Sequence, residues 1–242
     1  MQDTNTRVYP NPAQESLIAF IYHTHRLERI PMSKKTIELA QTRSEPNHYV
    51  EGHMRAINRV LQLASNSELI PNSINNVFEF DDHFKWIKQL HSDIMKPIAE
   101  FGRMTLDPDY IHHTNVGNYR QIPKSITTET ELQITKVDMP DPIIIRKLLT
   151  EWAEDLCQFH NKMKRTIDIG RYSGEDVELL LNKAYEANLK ISCIKPFTDG
   201  SNRLGRLVEN LIRLNWGLPW KIIAEDYKEE LLKDLRDMQK NY

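Results

Sequence analysis

Apolar residues recur at helical spacing along most of this chain, and glycine is rare. Only 8 of the 242 residues are glycine. Apolar side chains at i, i+3, i+4 and i+7 line one face of a helix, whereas a strand would place them on both of its faces. The sequence therefore predicts an all-α fold. The predicted helices cover about residues 12–29, 33–41, 47–64, 81–98, 142–164, 174–192, 201–216 and 226–240.

One long segment breaks this helical pattern. Residues 102–140 are polar, show apolar alternation, and contain Gly117 and Pro123. This pattern is typical of a long loop or an irregular β-hairpin. A non-helical segment of this length within a compact domain is usually functional or disordered. We place a small hairpin at about 108–128. Because no repeat or composition shift marks a linker, we expect one domain over residues 1–242.

Composition and charge exclude several classes of protein. The formal net charge is −2, without the basic excess typical of proteins that bind nucleic acid or membrane surfaces. Cys157 and Cys193 lack the spacing of a zinc site or a disulfide framework. The first residues lack a basic region followed by an apolar one, and no apolar run reaches about 18 residues. We therefore expect a cytoplasmic protein without nucleic-acid or membrane partners.

The stretch KPFTDGSNRLGR, residues 195–206, joins two predicted helices through a turn. Gly200 permits a sharp turn, and Asp199 or Ser201 is suited to cap the following helix. The free amides and the positive end of that helix form a site for an anion. The turn therefore predicts an anion-binding site.

Two arginines and one carboxylate add to this predicted site. Arg203 and Arg206 are separated by three positions, so both guanidinium groups reach over the same spot, and their paired donors match phosphate. Asp199 is suited to Mg²⁺, which prefers one or two carboxylates together with phosphate oxygens. An ordinary capped helix with two surface arginines explains these residues equally well.

The stretch 195–206 resembles, without gaps, the signature of the Fic (Fido-domain) family, His-Pro-Phe-x-Asp/Glu-Gly-Asn-Gly-Arg-x-x-Arg. NVGNYR (115–120) resembles the Gly-x-Tyr-Arg start of the family's flap, and THRLER (24–29) its inhibitory pattern, Ser/Thr-x-x-x-Glu-Gly/Asn. LVENLIRLNWGLPW (207–220) is similar to the family's next helix, which ends in a Gly-x-Pro turn. The resemblance covers about residues 12–224. It implies a Fic-like helical domain with a small β-hairpin flap.

The family transfers a nucleotide monophosphate, usually AMP from ATP, onto a hydroxyl side chain of a target protein. The resemblance thus implies ATP or another nucleotide with Mg²⁺ as the cofactors. It implies that Asp199 binds the metal and that Arg203 and Arg206 hold the β- and γ-phosphates. Further implied contacts are an anion nest at Gly200, Ser201 and Asn202, and inward packing of Phe197.

The resemblance also implies regulation and partners. Glu28, with Thr24 on a helix at about 12–30, would pair with Arg206 and withhold it from the γ-phosphate. The flap residues Gly117, Tyr119 and Arg120 would dock a protein target as an added strand. Because Fic-like proteins often self-associate, a homodimer is expected. The helix at about 226–240 follows the matched region.

The position of the family's catalytic histidine is occupied by Lys195. A general base needs a pKa near the working pH, and a free lysine has a pKa of about 10.4. Lowering this pKa by about 3 units would cost about 4 kcal/mol. Bound phosphates and Asp199 oppose such a shift. We therefore expect Lys195 to stay protonated when nucleotide is bound and to act as a cation rather than a base.

Other positions also differ from the family pattern. Ser201 and Asn202 replace Asn-Gly, and Glu28 is followed by Arg29 instead of Gly or Asn. His112 and His113 lie in the predicted flap, where solvated side chains are expected more than a replacement base. The remaining histidines considered are interpreted as surface groups or hydrogen-bonded core groups: His53, His83, His91 and His160.

Three functions remain open from the sequence. The first is a degenerate Fic-like protein that binds a nucleotide or phosphate near residue 201 with weak or absent protein adenylyltransferase activity. The second is a nucleotidyl- or phosphotransferase with altered chemistry, in which Lys195 clamps phosphate. The third is an interaction protein that binds no nucleotide.

Overall fold

The computed structural model describes residues 12–42, 44–105, 115–130 and 133–240. In this part of the chain the structure is helical apart from one two-stranded ribbon. The helices are α1 (Gln14–Leu27), α2 (Lys34–Gln41), α3 (His48–Ala64), α4 (Val77–His83), α5 (Trp86–Thr105), α6 (Ile145–Ile169), α7 (Gly174–Ile194), α8 (Ser201–Asn215) and α9 (Lys228–Gln239). The predicted all-α fold is confirmed. No described helix is both long and apolar enough to cross a membrane.

Short polar side chains set several helix boundaries. The side chains of Ser33 and Asn47 accept backbone N–H groups in the first turns of α2 and α3. Ser173 and Asp176 form a reciprocal capping box at the start of α7. Gly170 ends α6 in the left-handed conformation, with φ of 65°. These contacts satisfy backbone groups that have no partner within the helix.

The helix predicted at 81–98 is two helices in the structure. α4 begins after Asn76, whose side chain caps it, and the chain leaves helical geometry at Phe84. α5 then continues through Pro97 to its end at Thr105. Phe84 is 1% exposed, and its burial fixes the break between the helices. The lost N–H of Pro97 is tolerated because the packed face of α5 stabilises the helix on both sides.

An antiparallel ribbon joins the two halves of the chain. Its strands are β1 (Ser125–Thr130) and β2 (Gln133–Asp138), with Ser125 opposite Asp138 and Thr130 opposite Gln133. The ribbon therefore begins near the end of the segment where the sequence placed a hairpin, at about 108–128. Residues 106–114, which include His112 and His113, lie outside the described residues.

Helix α8 lies at the centre of the molecule, against α3, α5 and α7. Every residue from Arg203 to Asn215 is buried. Gly205 allows α7 to approach closely, since a Cβ there would lie 2.6 Å from the side-chain oxygen of Asn188. Gly52 similarly allows α3 to approach α5, with a Cβ only 2.1 Å from the carbonyl oxygen of Ile94.

Replacing Gly52 with alanine is expected to destabilise the protein by about 2 kcal/mol or more, because the neighbouring atom is backbone and α5 itself would have to move. Urea denaturation of Gly52→Ala measures the effect. Gly174→Ala is the control, since no atom lies within 4 Å of the added Cβ, and it is expected to change stability by less than about 1 kcal/mol. Equal stability of the two variants would contradict the close packing of α3 and α5.

Candidate functional site

The loop between α7 and α8 is bracketed by two residues in the left-handed conformation. Lys195 ends α7 with φ of 47°, and Gly200 precedes α8 with φ of 77°. The conformation costs a non-glycine residue about 1 kcal/mol, so Lys195 is held there by its surroundings. At Gly200 a Cβ would also lie 2.8 Å from the sulfur of Met95. The tight turn therefore requires glycine at residue 200.

The first turn of α8 has no side-chain cap. The expectation that Asp199 or Ser201 caps this helix is wrong. The Ser201 hydroxyl lies 3.3 Å from the backbone nitrogen of Phe197, and Asp199 forms an ion pair with Arg203. The first backbone bond of the helix runs from Leu204 to Gly200. The amides of residues 201–203 consequently have no acceptor within the helix, which is the arrangement suited to an anion, and we call them the cradle.

His91 on α5 supports the loop from inside the protein. Its ring stacks on Phe197, with 3.8 Å between ring centroids. Its Nδ1 accepts the backbone N–H of Gly117, which can only donate, so Nε2 carries the proton and donates to the carbonyl of Asp199. Burial lowers the pKa of His91 to about 4. The neutral imidazole is thus a structural link, in agreement with its interpretation as a hydrogen-bonded core group.

Arg120 supports the loop from the other side. Its Nε donates to the carbonyl of Lys195 over 2.7 Å, and its backbone N–H donates to that of Pro196 over 2.9 Å. Tyr119 packs beside Phe197, with 5.4 Å between ring centroids. The side chains of Tyr119 and Arg120 therefore point into the protein. Docking of a target strand at Gly117, Tyr119 and Arg120 stays a prediction, and the backbone N–H groups of Gly117 and Arg120 already have partners within the protein.

Two ion pairs neutralise the arginines at the start of α8. Arg206 contacts Glu28 over 2.6 Å, and Arg203 contacts Asp199 over 2.9 Å. Both arginines are 2–3% exposed. Burial tends to raise the pKa of Glu28, but the charge and hydrogen bond of Arg206 outweigh it, and the pKa lies below its ordinary value. Glu28 is therefore ionised and holds Arg206.

The end of α1 shows how the structure accommodates Arg29, where the resembled inhibitory pattern has Gly or Asn. Arg29, which follows Glu28, has φ of 60°. Glycine and asparagine adopt this left-handed region most readily, so the arginine keeps the conformation at a cost in strain. The carbonyl of Thr24, a buried residue, accepts the backbone N–H of Glu28 over 3.3 Å. Glu28 thus reaches Arg206 although Arg29 replaces the smaller residue.

The amine of Lys195 lies beside the first turn of α8. Its Nζ donates a hydrogen bond to the side-chain oxygen of Asn202, in the first turn of α8, and the residue is 9% exposed. Burial lowers its pKa from 10.5 to about 8; nearby Lys124 and Arg206 act in the same direction, and Glu28 opposes them. Without nucleotide, the amine is therefore much closer to neutral than a free lysine.

A buried polar cluster lies behind the arginines. His25 on α1 and His53 on α3 are both buried, with 4.6 Å between ring centroids. Burial and the charge of Arg203 lower the pKa of His25 to about 3. Both ring nitrogens of His25, Nε2 of His53, and Nε and Nη1 of Arg203 have no hydrogen-bond partner in the described part of the chain. The sequence did not indicate this cluster, because the histidines lie on different helices.

A cavity of about 40 Å³ adjoins the cradle. Its polar lining includes Glu28, Asn202 and Arg206, together with Asn188 and Ser192 of α7. Its apolar side comes from α9, which the sequence did not connect with the site. The residues contributed by α9 are Lys228, Leu231, Leu232 and Leu235. Leu231 is the one buried residue of α9, and Tyr185 of α7 forms a hydrogen bond to Asp234 of this helix.

Asp199 is the carboxylate that faces outward at the cradle, with its side chain 52% exposed. Among the described residues, no group of three potential metal-ligating side chains is present. The donor set fits Mg²⁺ that is bound mainly by phosphate oxygens and water, since such sites need only one or two carboxylates. Asp199 would have to release Arg203 to take this role.

No family model and no curated protein matches the chain. Solved structures do match. A Fic domain containing signaling protein from Bacteroides thetaiotaomicron superposes with a TM-score of 0.62 at 17% identity, over 92% of this chain and 71% of that one. Fic-1 from C. elegans superposes with a TM-score of 0.60 at 18% identity, over 94% of this chain and 56% of that one. A Fic family protein from Desulfovibrio desulfuricans superposes with a TM-score of 0.53 at 15% identity, over 94% of this chain and 58% of that one. The chain has a Fic-like fold.

Lys195 is expected to make the stability of the folded protein increase with pH in the alkaline range. Between about pH 8 and 10.5 the unfolded chain binds more protons than the folded protein, so the penalty for burying Lys195 is relieved as the pH rises. The free energy of unfolding of Lys195→Met, relative to that of the parent protein, should therefore fall by on the order of 3 kcal/mol across this range. Urea denaturation at several pH values measures the difference.

Lys190→Met is the matched control on the same helix. The pKa of Lys190 is raised by its bonds to Glu186 and Asp155, which outweigh burial. The stabilising contribution of Lys190 is therefore fully present below its pKa in the unfolded chain. The difference in unfolding free energy between Lys190→Met and the parent should stay constant between about pH 7 and 10. If the difference in unfolding free energy between Lys195→Met and the parent were also constant, the lowered pKa of Lys195 would be contradicted.

Proposed function

On the basis of a Fic-like fold with an uncapped, cationic helix start, we propose that this protein binds a nucleotide, ATP or another nucleoside triphosphate, together with Mg²⁺. We further propose that it transfers the nucleotidyl group to protein hydroxyls weakly or not at all. The observation that carries the proposal is that the uncapped first turn of α8 carries Arg203 and Arg206 and also receives the amine of Lys195, which bonds to Asn202.

Charge and geometry support phosphate as the group bound. The backbone amides of residues 201–203 and the positive end of α8 favour an anion. Asn202 and Arg206 lie one helical turn apart on the same face, so successive phosphates of one chain could contact Lys195 near Asn202 and then Arg206. A single phosphate could not contact both cations, whereas a polyphosphate could contact Lys195 and also replace Glu28 as the partner of Arg206.

The cavity beside Arg206 supports a nucleotide over inorganic polyphosphate. The leucines of α9 offer an apolar surface next to the cationic cradle. A nucleobase joined to a phosphate chain has this combination of an apolar ring and adjacent negative charge. The present volume of about 40 Å³ admits only water, so binding requires α9 or α1 to move. A movement of α9 would uncover one buried residue, Leu231, and would break the hydrogen bond from Tyr185 to Asp234.

The same site lacks a suitable general base for a protein hydroxyl. Both nitrogens of His91 are already hydrogen-bonded. His25 and His53 are buried behind Arg203, away from the open side of the cradle. Bound phosphates would raise the pKa of Lys195 towards its ordinary value. Mg²⁺, when bound, would neutralise phosphate charge and would leave this lack of a base unchanged.

The contact between Glu28 and Arg206 supports an inhibited resting state. Nucleotide could use Arg206 only after Glu28 releases it, so part of the binding energy would be consumed in breaking a buried ion pair. The exposed surface of the flap, at residues 121–125, is where we propose a protein target docks. A homodimer and a cytoplasmic location are further parts of the proposal.

Glu28→Gln is expected to increase affinity for Mg·ATP at least about 10-fold, because Arg206 becomes available to phosphate. Isothermal titration calorimetry measures the affinity. Glu225→Gln is the matched control, since Glu225 also pairs with an arginine of α1, Arg26, but on the exposed side. It should bind Mg·ATP as the parent does.

Adding Arg206→Gln to Glu28→Gln should lower affinity about 10-fold or more, because a charge-assisted contact is lost. Arg146→Gln is the control: it removes an exposed arginine paired with Asp81 and should leave the affinity for Mg·ATP unchanged. If Glu28→Gln bound neither Mg·ATP nor Mg·UTP, the nucleotide proposal would fail and an interaction protein would remain.

Transfer is tested by restoring the residues typical of the family. The triple variant Lys195→His, Ser201→Asn, Asn202→Gly, in a Glu28→Gln background, is expected to label proteins of a cell lysate with radioactive ATP. The variant with Glu28→Gln alone is expected to label them at least about 10-fold less, because it lacks the base. Strong labelling of lysate proteins without the triple change would contradict the proposed weak activity.

A further inference from the structure

We propose that Lys195 is a nucleophile, and that its amine accepts the nucleotidyl group of a bound nucleoside triphosphate so that the protein modifies itself once at this residue. This inference rests on the proposed nucleotide binding. It goes beyond a clamp that only attracts phosphate, because it assigns Lys195 a covalent role.

The position of the amine is the first argument. Nζ of Lys195 contacts Asn202 in the first turn of α8, so a phosphate held by the amides of residues 201–203 would lie beside it. The backbone of Lys195 is fixed on both sides, since its N–H bonds to Ile191 and its carbonyl accepts from Arg120. A buried amine held this way meets a bound phosphorus atom at little further entropic cost.

The second argument is the charge around the amine. An amine attacks only in its neutral form, and burial favours that form here. Lys124 and Arg206 act in the same direction, while the charge of Glu28 opposes them. Bound phosphate raises the pKa again, so the reaction should accelerate as the solution pH rises above about 8.

Lys190 shows that this environment is particular to Lys195. It lies on the same helix and is also largely shielded from solvent, but its amine forms ion pairs with Asp155 and Glu186. Those carboxylates raise its pKa and keep it protonated. A lysine of α7 therefore becomes a nucleophile only at the cradle, where no carboxylate contacts the amine directly in the described part of the chain.

The proposed step is balanced with the triphosphate as the only co-reactant. The lone pair of Nζ attacks the α-phosphorus, and a P–N bond forms. The bond from that phosphorus to the oxygen bridging the α- and β-phosphates breaks, and its electron pair leaves with pyrophosphate. Nζ loses one proton, which passes to pyrophosphate or water. Arg206, once released by Glu28, would stabilise the charge that develops on the leaving group.

The product is a phosphoramidate, which is stable at alkaline pH and hydrolysed by acid. Transfer onwards to a hydroxyl would need a base near the adduct. His91 is neutral and uses both of its nitrogens in holding the loop. The protein would therefore retain one nucleotidyl group per chain instead of turning over.

The experiment uses the full chain carrying Glu28→Gln, incubated with Mg·ATP at about pH 7 and about pH 9. Intact-mass measurement and peptide mapping should find one adenylyl group at Lys195, formed at least about 10-fold faster at the higher pH. Mild acid should remove it. Adding Lys195→Arg should abolish the adduct while calorimetry still detects nucleotide binding, and Lys190→Arg should change neither.

A second readout requires no nucleotide transfer. Pyridoxal phosphate carries a phosphate for the cradle and an aldehyde that forms an imine with a neutral amine, and borohydride reduction fixes the label. Lys195 should be labelled before Lys190, and Mg·ATP should protect it. Equal labelling of the two lysines would overturn the assignment of Lys195 as an activated amine.

The possible results separate the inference from the proposed function. Nucleotide binding without an adduct, or with an acid-stable adduct on a hydroxyl, would overturn the nucleophilic role and leave nucleotide binding intact. Absence of any nucleotide binding by Glu28→Gln would instead overturn the proposed function itself.

Discussion

The structure depends on burying the charged first turn of α8. Arg203 and Arg206 are withdrawn from water at the centre of the molecule, and an unpaired charge there would cost several kcal/mol. Asp199 and Glu28 compensate them, the first from the loop and the second from the far end of the sequence. The position of α1 on the protein is therefore tied to the charge state of the site.

The loop that precedes α8 shows how this burial affects chemistry. His91, Arg120 and the ring of Tyr119 hold its backbone from three directions, so that Lys195 retains an unfavourable left-handed conformation. The same enclosure removes water from its amine and lowers the pKa. The backbone conformation of Lys195 and the lowered pKa of its amine therefore both follow from the enclosure of the loop by the surrounding protein.

Much of the fold follows from local patterns, and the failures are informative. Helical periodicity predicted every helix except α4, which was merged with α5 because nothing local marks Phe84 as a buried break. The capping role assigned to Asp199 and Ser201 was wrong because Arg203 and the Phe197 backbone compete for these side chains. Capping preferences describe an isolated helix, whereas here the competing partners are supplied by the loop itself.

The sequence by itself determined the helical class, the turn before α8 with its two arginines, and the presence of Lys195 where the resembled signature has histidine, since each depends on residues close together in the chain. The resemblance led us to expect the contact between Glu28 and Arg206, which the structure contains. Only the tertiary structure decided that α9 lines the cavity and that burial lowers the pKa of Lys195. These properties depend on burial and on charges from distant segments. A pKa is set by the surrounding volume, which no short stretch of sequence describes.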